Sequence, residues 1–358
     1  MPSSWFCERS RPGGRRSGPD RSRDHRAAGV DLSSLAPRAD LLAAAVVLDL
    51  LFGDPAYRWH PIRLIGGSLT CIEVRLRAVG ADGRSGGCVL FVVLALVWCG
   101  SAAALVAGAA RLHPAAAVAA HLFALYSLIA LGDLLKHAGD VDAAVTTGDL
   151  AAARTAAGRL VGRDTEPMDG AACRRSAIES LGESLVDGVV SPIFWYAAAG
   201  VPGIVLFKVV STMDSMVGYK SERYRDFGWC GARLDDLLNL VPARVTWLLI
   251  AAAAALIPGA SGGEALRWGW RQHAVVPGPN AGWSETALAG AIRRRLAGPI
   301  RLQGLLVTDV WIGDPSSAEG GSEEDYRRAR GTVLLAAALA AGGIAGLLVW
   351  ARSPWWEW

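Results

Sequence analysis

The stretch ESLGESLVDGVVSPIFWYAAAGVPGIVLFKVVSTMDSMVGYKSERYRDFGWCGARLDDLLNLVPAR, residues 179–244, decides the class of this chain. Its centre is apolar over a length that can enter a bilayer. Both flanks are dense in acids, bases and aromatic rings. Ionisable groups at the mouth of a membrane segment are expensive to place and usually have a task. The stretch points to a membrane enzyme or transporter and away from a soluble domain.

Composition agrees. Of 358 residues, 52% are hydrophobic and only 19% charged, against about 25% charged in soluble domains. Mean hydropathy is positive. The 14 tryptophans suit a chain that meets headgroups, where an amphipathic ring is satisfied at both ends. A net charge of +3 with bases spread among acids gives no basic patch for nucleic acid. The six cysteines, at 7, 71, 88, 99, 173 and 230, form no C-x-x-C pair and have no histidine at zinc spacing. They read as small apolar filler in a reducing compartment.

Residues 1–37, rich in Arg, Ser, Gly and Pro, cannot bury an apolar face and are expected to form a disordered basic tail. No cleavable leader is expected there. Residues 38–350 read as one helical membrane domain and 351–358 as a short tail. Six apolar segments follow the first tail, at 39–53, 87–110, 114–132, 188–210, 243–258 and 331–350. About 20 apolar residues cross the hydrocarbon. The second and sixth segments meet that, and the third nearly does. The first is short and carries Asp49, and the fifth is also short. The fourth holds Pro192, Gly200, Pro202 and Gly203, which favour a break. The fold class is therefore all-α and polytopic, with four to six transmembrane or re-entrant helices and amphipathic helical loops. Residues 133–187 read as helical with a break at Asp164–Asp169, and Asp169 is a plausible cap for the next helix.

Five groups could carry chemistry. Glu179, Glu183 and Asp187, four apart, share one helix face. The row is a metal or phosphate site if a cation joins it, or a solvated face with Arg175 pairing to Glu179. Asp214, Lys220, Glu222, Arg223, Arg225 and Asp226 mix both signs beside Gly218. They suit a phosphate–magnesium complex, or an interfacial helix anchored by Tyr219 and Tyr224. Arg233, Asp235, Asp236, Asn239 and Arg244 form the third group; Asp235 and Asn239 face the same way on a helix, and the acids either ligate a metal or pair locally. After Asp49, Asp54 sits in a Gly53-Asp54-Pro55 turn signal and Arg58, Trp59, His60 and Arg63 follow it, with Glu73 further on; the alternative is a headgroup-level turn. Asn280, Trp283 and Ser284 lie where a helix N-terminus could receive an anion, or form a plain loop and cap. A phosphate-cradling G-x-x-x-x-G-K-[ST] loop and an H-E-x-x-H motif are both missing.

The segments LDLLFGDPAYRWHPIRLIG, VGRDT, AIESLGESLVDGVVSPIFWY, TMDSMVGYKSERYRDFGWCGARLDDLLNLVPARVT and GPNAGWSETALAGA resemble the CobD/CbiB family, the integral-membrane adenosylcobinamide-phosphate synthases of cobalamin biosynthesis. The resemblance spans residues 40–350, and 211–246 is its most specific piece. It implies an ATP-dependent amide ligase that joins adenosylcobyric acid to (R)-1-amino-2-propanol or its O-phosphate through an acyl phosphate. ATP is the expected co-substrate, Mg2+ the expected metal and an adenosylcorrinoid the substrate. Glu183, Asp187, Asp214, Lys220, Glu222 and Asp235 are the implied catalytic groups. Glu179, Glu183, Asp214 and Asp235 are the implied metal ligands. Asp54, Trp59, His60, Arg63, Arg223, Arg225, Arg233, Asn239, Asn280 and Trp283 would hold substrate, with Trp59 and Trp283 packing on the corrin. The expected location is the inner (cytoplasmic) membrane with the site on the cytoplasmic side, in contact with the lipid bilayer and with other cobalamin-assembly membrane proteins. The chain departs from the family pattern at Ser184, Ser211 and Ser221, each in place of asparagine, at Gly278 in place of serine, and at Arg293–Arg295. Serine keeps a hydroxyl but loses the amide's paired donor and acceptor. An altered-substrate or non-catalytic paralogue is the alternative, and a membrane transporter a further one.

Overall fold

In the computed structural model, residues 32–54 and 57–352 are described. The tails expected at 1–37 and 351–358 lie largely outside that range. Where the first one enters it, Leu32–Leu35 forms a turn of 3-10 helix and Leu35 is buried in the core.

Helix α3, Arg84–Leu112, runs for 29 residues. At 1.5 Å per residue that is about 43 Å, more than the roughly 30 Å of hydrocarbon. Val89, Val92, Leu96, Val97 and Leu105 are exposed along it, an apolar flank suited to lipid rather than water. In chain order the helices are α1 (Ala39–Phe52), α2 (Pro61–Ala78), α3, α4 (Pro114–Tyr126), α5 (Leu131–Thr146), α6 (Leu150–Ala157) and α7 (Gly170–Leu185). A π-turn (Val186–Val190) leads into α8 (Ser191–Val217), followed by α9 (Trp229–Leu238), α10 (Leu240–Ala254), α11 (Gly262–Gln272), α12 (Ala281–Ile292) and α13 (Glu323–Arg352). Four stretches are long and apolar enough to cross a membrane: Arg84–Leu112, Pro114–Thr146, Gly170–Val217 and Glu323–Ala351. The α9–α10 pair, bent by 45°, makes a fifth if counted as one span. The chain is an all-α polytopic membrane protein.

Two of those stretches are broken, each for a local reason. Between α4 and α5 the chain unwinds at 127–130. The buried Asp49 of α1 supplies the cap, its Oδ2 accepting from the N–H groups of Leu131 at 2.8 Å and Gly132 at 2.9 Å. An acid in an apolar run thus satisfies first-turn donors that no intrahelical carbonyl can reach. Gly170–Val217 does not run straight either. Ala199 (φ −141°, ψ 16°) and Gly200 (φ 65°, ψ −149°) leave the helical region. A Cβ on Gly203 would lie 2.1 Å from the Trp195 carbonyl oxygen, a contact two turns of straight helix could not make. The chain reverses there, so the expected break at Gly200 and Pro202 is a helical hairpin. Its tip is pinned by buried polar contacts. Tyr196 Oη accepts from the Arg38 N–H at 2.7 Å, and the His121 ring bridges Tyr196 Oη at 2.8 Å and the Ser34 carbonyl at 3.0 Å. Gly200 is required at the tip, because any Cβ would lie 2.0 Å from the Leu35 carbonyl oxygen.

Asp169 caps α7 as its position suggests, accepting from the Ala172 N–H at 2.7 Å. The polar region after α12 adds something the all-α reading lacks. Strands β1 (Leu296–Leu302) and β2 (Leu305–Ile312) form an antiparallel hairpin. At its tip Gln303 and Gly304 both have left-handed φ, 51° and 79°, the backbone that two-residue hairpin turns demand. Asp164 clamps this tip, accepting from the N–H groups of Gln303 at 3.1 Å and Gly304 at 2.7 Å.

Candidate active site

The reversal in α8 returns Asp214 to the level of Asp187. The two acids flank the apolar hairpin in sequence and line one cavity in space. Its volume is about 140 Å³, and its wall includes Glu183, Asp187, Asp214, Asp235, Asp236, Asn239 and the loop Pro277–Ala281. Four elements build it: the end of α7 with the π-turn, the end of α8, α9, and the head of α12. Glu183 and Asp187 turn to the cavity. Glu179, one helical turn earlier, does not. Its Oε2 pairs with Arg163 Nη2 at 2.5 Å and its Oε1 accepts from the Ala297 N–H at 2.9 Å. The acidic row is therefore split, and the Glu179 carboxylate is occupied in docking the VGRD loop and β1 onto α7.

The polar residues around the cavity are held by neighbours. Asn239 is 2% exposed; its Nδ2 donates to Asp235 Oδ2 at 2.9 Å and its Oδ1 accepts from Ser191 Oγ at 2.5 Å. Asn280 donates to the Asp236 carbonyl at 2.8 Å and accepts from Arg244 Nη1 at 3.0 Å. Arg233 lies 3.5 Å from Asp236, and Lys220 is within electrostatic reach of the same acid. Trp283 is buried and packs against His273 (ring centroids 4.0 Å), Trp247 (5.0 Å) and Trp270 (5.9 Å), with the Arg244 guanidinium 4.9 Å over its ring. This aromatic stack supports the loop above it and leaves Trp283 no free face for a macrocycle.

The remaining candidates lie elsewhere. Asp54 Oδ1 is 2.7 Å from His60 Nε2. Trp59 is 64% exposed beneath the Arg58 guanidinium and lines a separate apolar cleft of about 200 Å³ with α3 and α4. Arg63 is exposed on α2. Arg223 pairs with the buried Glu73 at 3.3 Å, beside Arg77 at 2.8 Å. Glu222 and Arg225 are exposed in the loop after α8. The block 214–226 is thus divided: Asp214 lines the cavity, while Arg223 is tied to α2. Ser184, Ser211 and Ser221 are not among the cavity-lining residues; Gly278 is.

Three residues were not singled out for the site by the sequence. Lys208, on the returning arm of α8, is 9% exposed and donates from Nζ to the Asp187 main-chain oxygen at 3.0 Å. It is the one charged residue in the apolar run 188–210, which was the available signal. Arg163 stands between Glu179, Glu183 and Glu285. Glu285 sits where α12 crosses α7, its Cα 3.4 Å from where a Gly182 Cβ would be. Burial, reinforced by the Glu183 and Glu179 carboxylates, pushes the Glu285 carboxyl well above the usual carboxylate range.

Among the described residues, no group of three or more His, Cys, Asp or Glu side chains is close enough to form a metal cage. The cavity's donors are nevertheless all carboxylate or amide oxygens, apart from amide N–H groups. Magnesium takes one or two carboxylates, keeps several waters and shares substrate phosphate. The donor set fits an ion of that kind and not an all-protein site.

A family model described as "CobD/Cbib protein" matches residues 42–334. The cobalamin biosynthesis protein CbiB of Salmonella typhi is 38% identical over 299 residues, 83% of this chain and 93% of that protein. The cobalamin biosynthesis protein CobD of Pelobacter propionicus is 38% identical over 313 residues, 87% and 97% of the two chains. The CobD of Citrobacter koseri is 37% identical over 300 residues, 83% and 93%. No solved structure matches the chain.

Proposed function

The chain belongs to the CobD/Cbib protein family, whose members are enzymes of cobalamin biosynthesis, and from that premise we propose that it is an ATP-dependent amide ligase of corrinoid assembly. The substrates in this reading are adenosylcobyric acid and (R)-1-amino-2-propanol or its O-phosphate. The observation that carries it is the meeting of Glu183, Asp187, Asp214 and Asp235, drawn from three separated segments, on one cavity.

The reaction has two steps. A substrate carboxylate oxygen attacks the terminal phosphorus of ATP, giving an acyl phosphate and ADP. The amine nitrogen then attacks the activated carbonyl, the C–O bond to phosphate breaks, and the amine gives up a proton. Magnesium, when bound, would neutralise phosphate charge; one or two of the carboxylates Glu183, Asp214 and Asp235 would hold it, with waters and substrate phosphate supplying the rest of its oxygens. Asn239 fixes the Asp235 carboxylate in one rotamer, and Arg233 and Lys220 at the rim meet phosphate oxygens. In this reading Asp187, a cavity-lining carboxylate, receives the proton of the attacking amine. A cavity of about 140 Å³ is smaller than a corrin macrocycle, which in this reading stays outside it. The site faces the cytoplasm in this reading, where ATP is available.

A cell lacking the protein tests the proposal. Cobyric acid accumulates while corrinoid import stays normal if the reading is right. Unimpaired cobinamide formation in that cell would refute it.

A further inference from the structure

Lys208 is flanked by the buried Phe207, Val209 and Val210 and is itself 9% exposed. A lysine at the edge of an apolar segment ordinarily extends its ammonium toward water. This one turns inward. Its Nζ crosses from the returning arm of α8 to the π-turn at the head of the descending arm and donates to the Asp187 main-chain oxygen at 3.0 Å. In that turn the Val186 oxygen is already taken, by the Ser191 N–H five residues on. The Asp187 oxygen instead receives the ammonium, which ties the two arms together at the level of the cavity. Single π-turns inside helices are uncommon, and they recur at functional sites.

The charge has neighbours on both sides. Asp187 and Asp235 lie within its electrostatic reach toward the cavity, and Asp49 and Asp54 on the α1 side. Four carboxylates from separate elements would repel one another. A buried ammonium among them holds the group together only while it is bonded in place.

We infer that Lys208 is a positioning residue for the reaction proposed above: its ammonium fixes the π-turn and thereby aims the Asp187 carboxylate into the acidic cavity. The inference rests on the ligase reading for its kinetic consequence and on the fold alone for its structural one, so the two are tested separately.

The kinetic arm compares the wild type with Lys208→Met, Lys208→Arg, Asp187→Asn and the Lys208→Met/Asp187→Asn pair in amide formation by purified protein. Loss of a charge-assisted bond predicts that Lys208→Met lowers kcat by about 30-fold, with KM for ATP and amine within about threefold of wild type. Lys208→Arg recovers most of that loss. In the Asp187→Asn background Lys208→Met costs less than about threefold more, because there is no carboxylate left to aim. A Lys208→Met enzyme within threefold of wild type overturns the inference, as does a double variant carrying both losses in full. The structural arm needs no substrate. Amide hydrogen exchange across residues 183–191 speeds up by about tenfold or more in Lys208→Met and not in Lys208→Arg. Unchanged exchange in Lys208→Met overturns the inference even if the wild type makes no amide, an outcome that by itself refutes only the ligase reading. If Lys208→Met does not fold, Lys208→Gln takes its place in both arms.

Discussion

Asn239→Leu separates orientation from stability in the acidic cavity. Asn239 is nearly isosteric with leucine, is 2% exposed, and spends its amide twice. Its Nδ2 donates to Asp235 Oδ2 at 2.9 Å and its Oδ1 accepts from Ser191 Oγ at 2.5 Å. Leucine removes both bonds. A hydrogen bond to a charged group contributes about 1.5–3 kcal/mol. If that bond sets the Asp235 rotamer needed in the transition state, kcat falls by about 10- to 160-fold, at 1.36 kcal/mol per tenfold. The second loss strands the Ser191 hydroxyl, which is fully buried, at a cost of about 1–3 kcal/mol in stability. The two effects can be pulled apart. Adding Ser191→Ala removes the stranded hydroxyl and recovers most of the melting temperature in detergent, but leaves the slow rate. Steady-state amide formation and thermal unfolding of the wild type, the two single variants Asn239→Leu and Ser191→Ala, and the double variant test this. An Asn239→Leu protein within threefold of wild-type kcat would refute the reasoning, as would a double variant that regains rate together with stability.

Other outcomes follow from the same geometry. Asp214→Ala abolishes ATP-dependent amide formation, a loss of at least about 100-fold, while the protein still inserts and purifies normally; full activity would reject a role for Asp214. Gly200→Ala forces a side chain into a backbone region that only glycine tolerates and onto the Leu35 carbonyl, so it costs upward of about 1–3 kcal/mol and lowers the yield of folded protein; wild-type melting would remove the reversal from the account. Glu285→Gln concerns pH. The folded carboxyl titrates well above its unfolded value, so the folded state binds the extra proton and wild-type stability falls as pH rises through the window between the two values. The glutamine variant therefore melts higher than wild type at neutral pH, and the gap closes as pH drops toward the unfolded carboxylate value. Melting curves with the opposite slope would contradict the placement of Glu285 against Glu179 and Glu183.

Much of this was legible in the residues. The spans at 87–110 and 331–350 are continuous apolar runs, and α3 and α13 cover them. Asp169 announces its helix start because capping is local chemistry. Glu183, Asp187, Asp214 and Asp235 stand out because charge beside a membrane segment is costly. What stayed hidden depends on distance through space. Gly200 and Pro202 signal a break, but a kink and a full reversal have the same composition, so the meeting of Asp187 with Asp214 is not encoded locally. Arg223 reads as a phosphate ligand in sequence, and its contact with Glu73, 150 residues away, is not visible there. Trp283 looks like a platform until Trp247, Trp270 and His273 fill its faces. Asp49 reads as a stray charge until α5 brings two N–H groups to it. The β-hairpin was missed although its turn residues and the alternation in LLVTDVWI were available, because the apolar helices around it set the expected period.

The most direct test of the account is mass-spectrometric detection of product from purified protein given adenosylcobyric acid, ATP and magnesium, with free or phosphorylated aminopropanol as the variable. The account predicts a condensation product with one of the two amines and one ADP released per amide formed. No amide with either amine, from folded protein that binds the corrinoid, would contradict it.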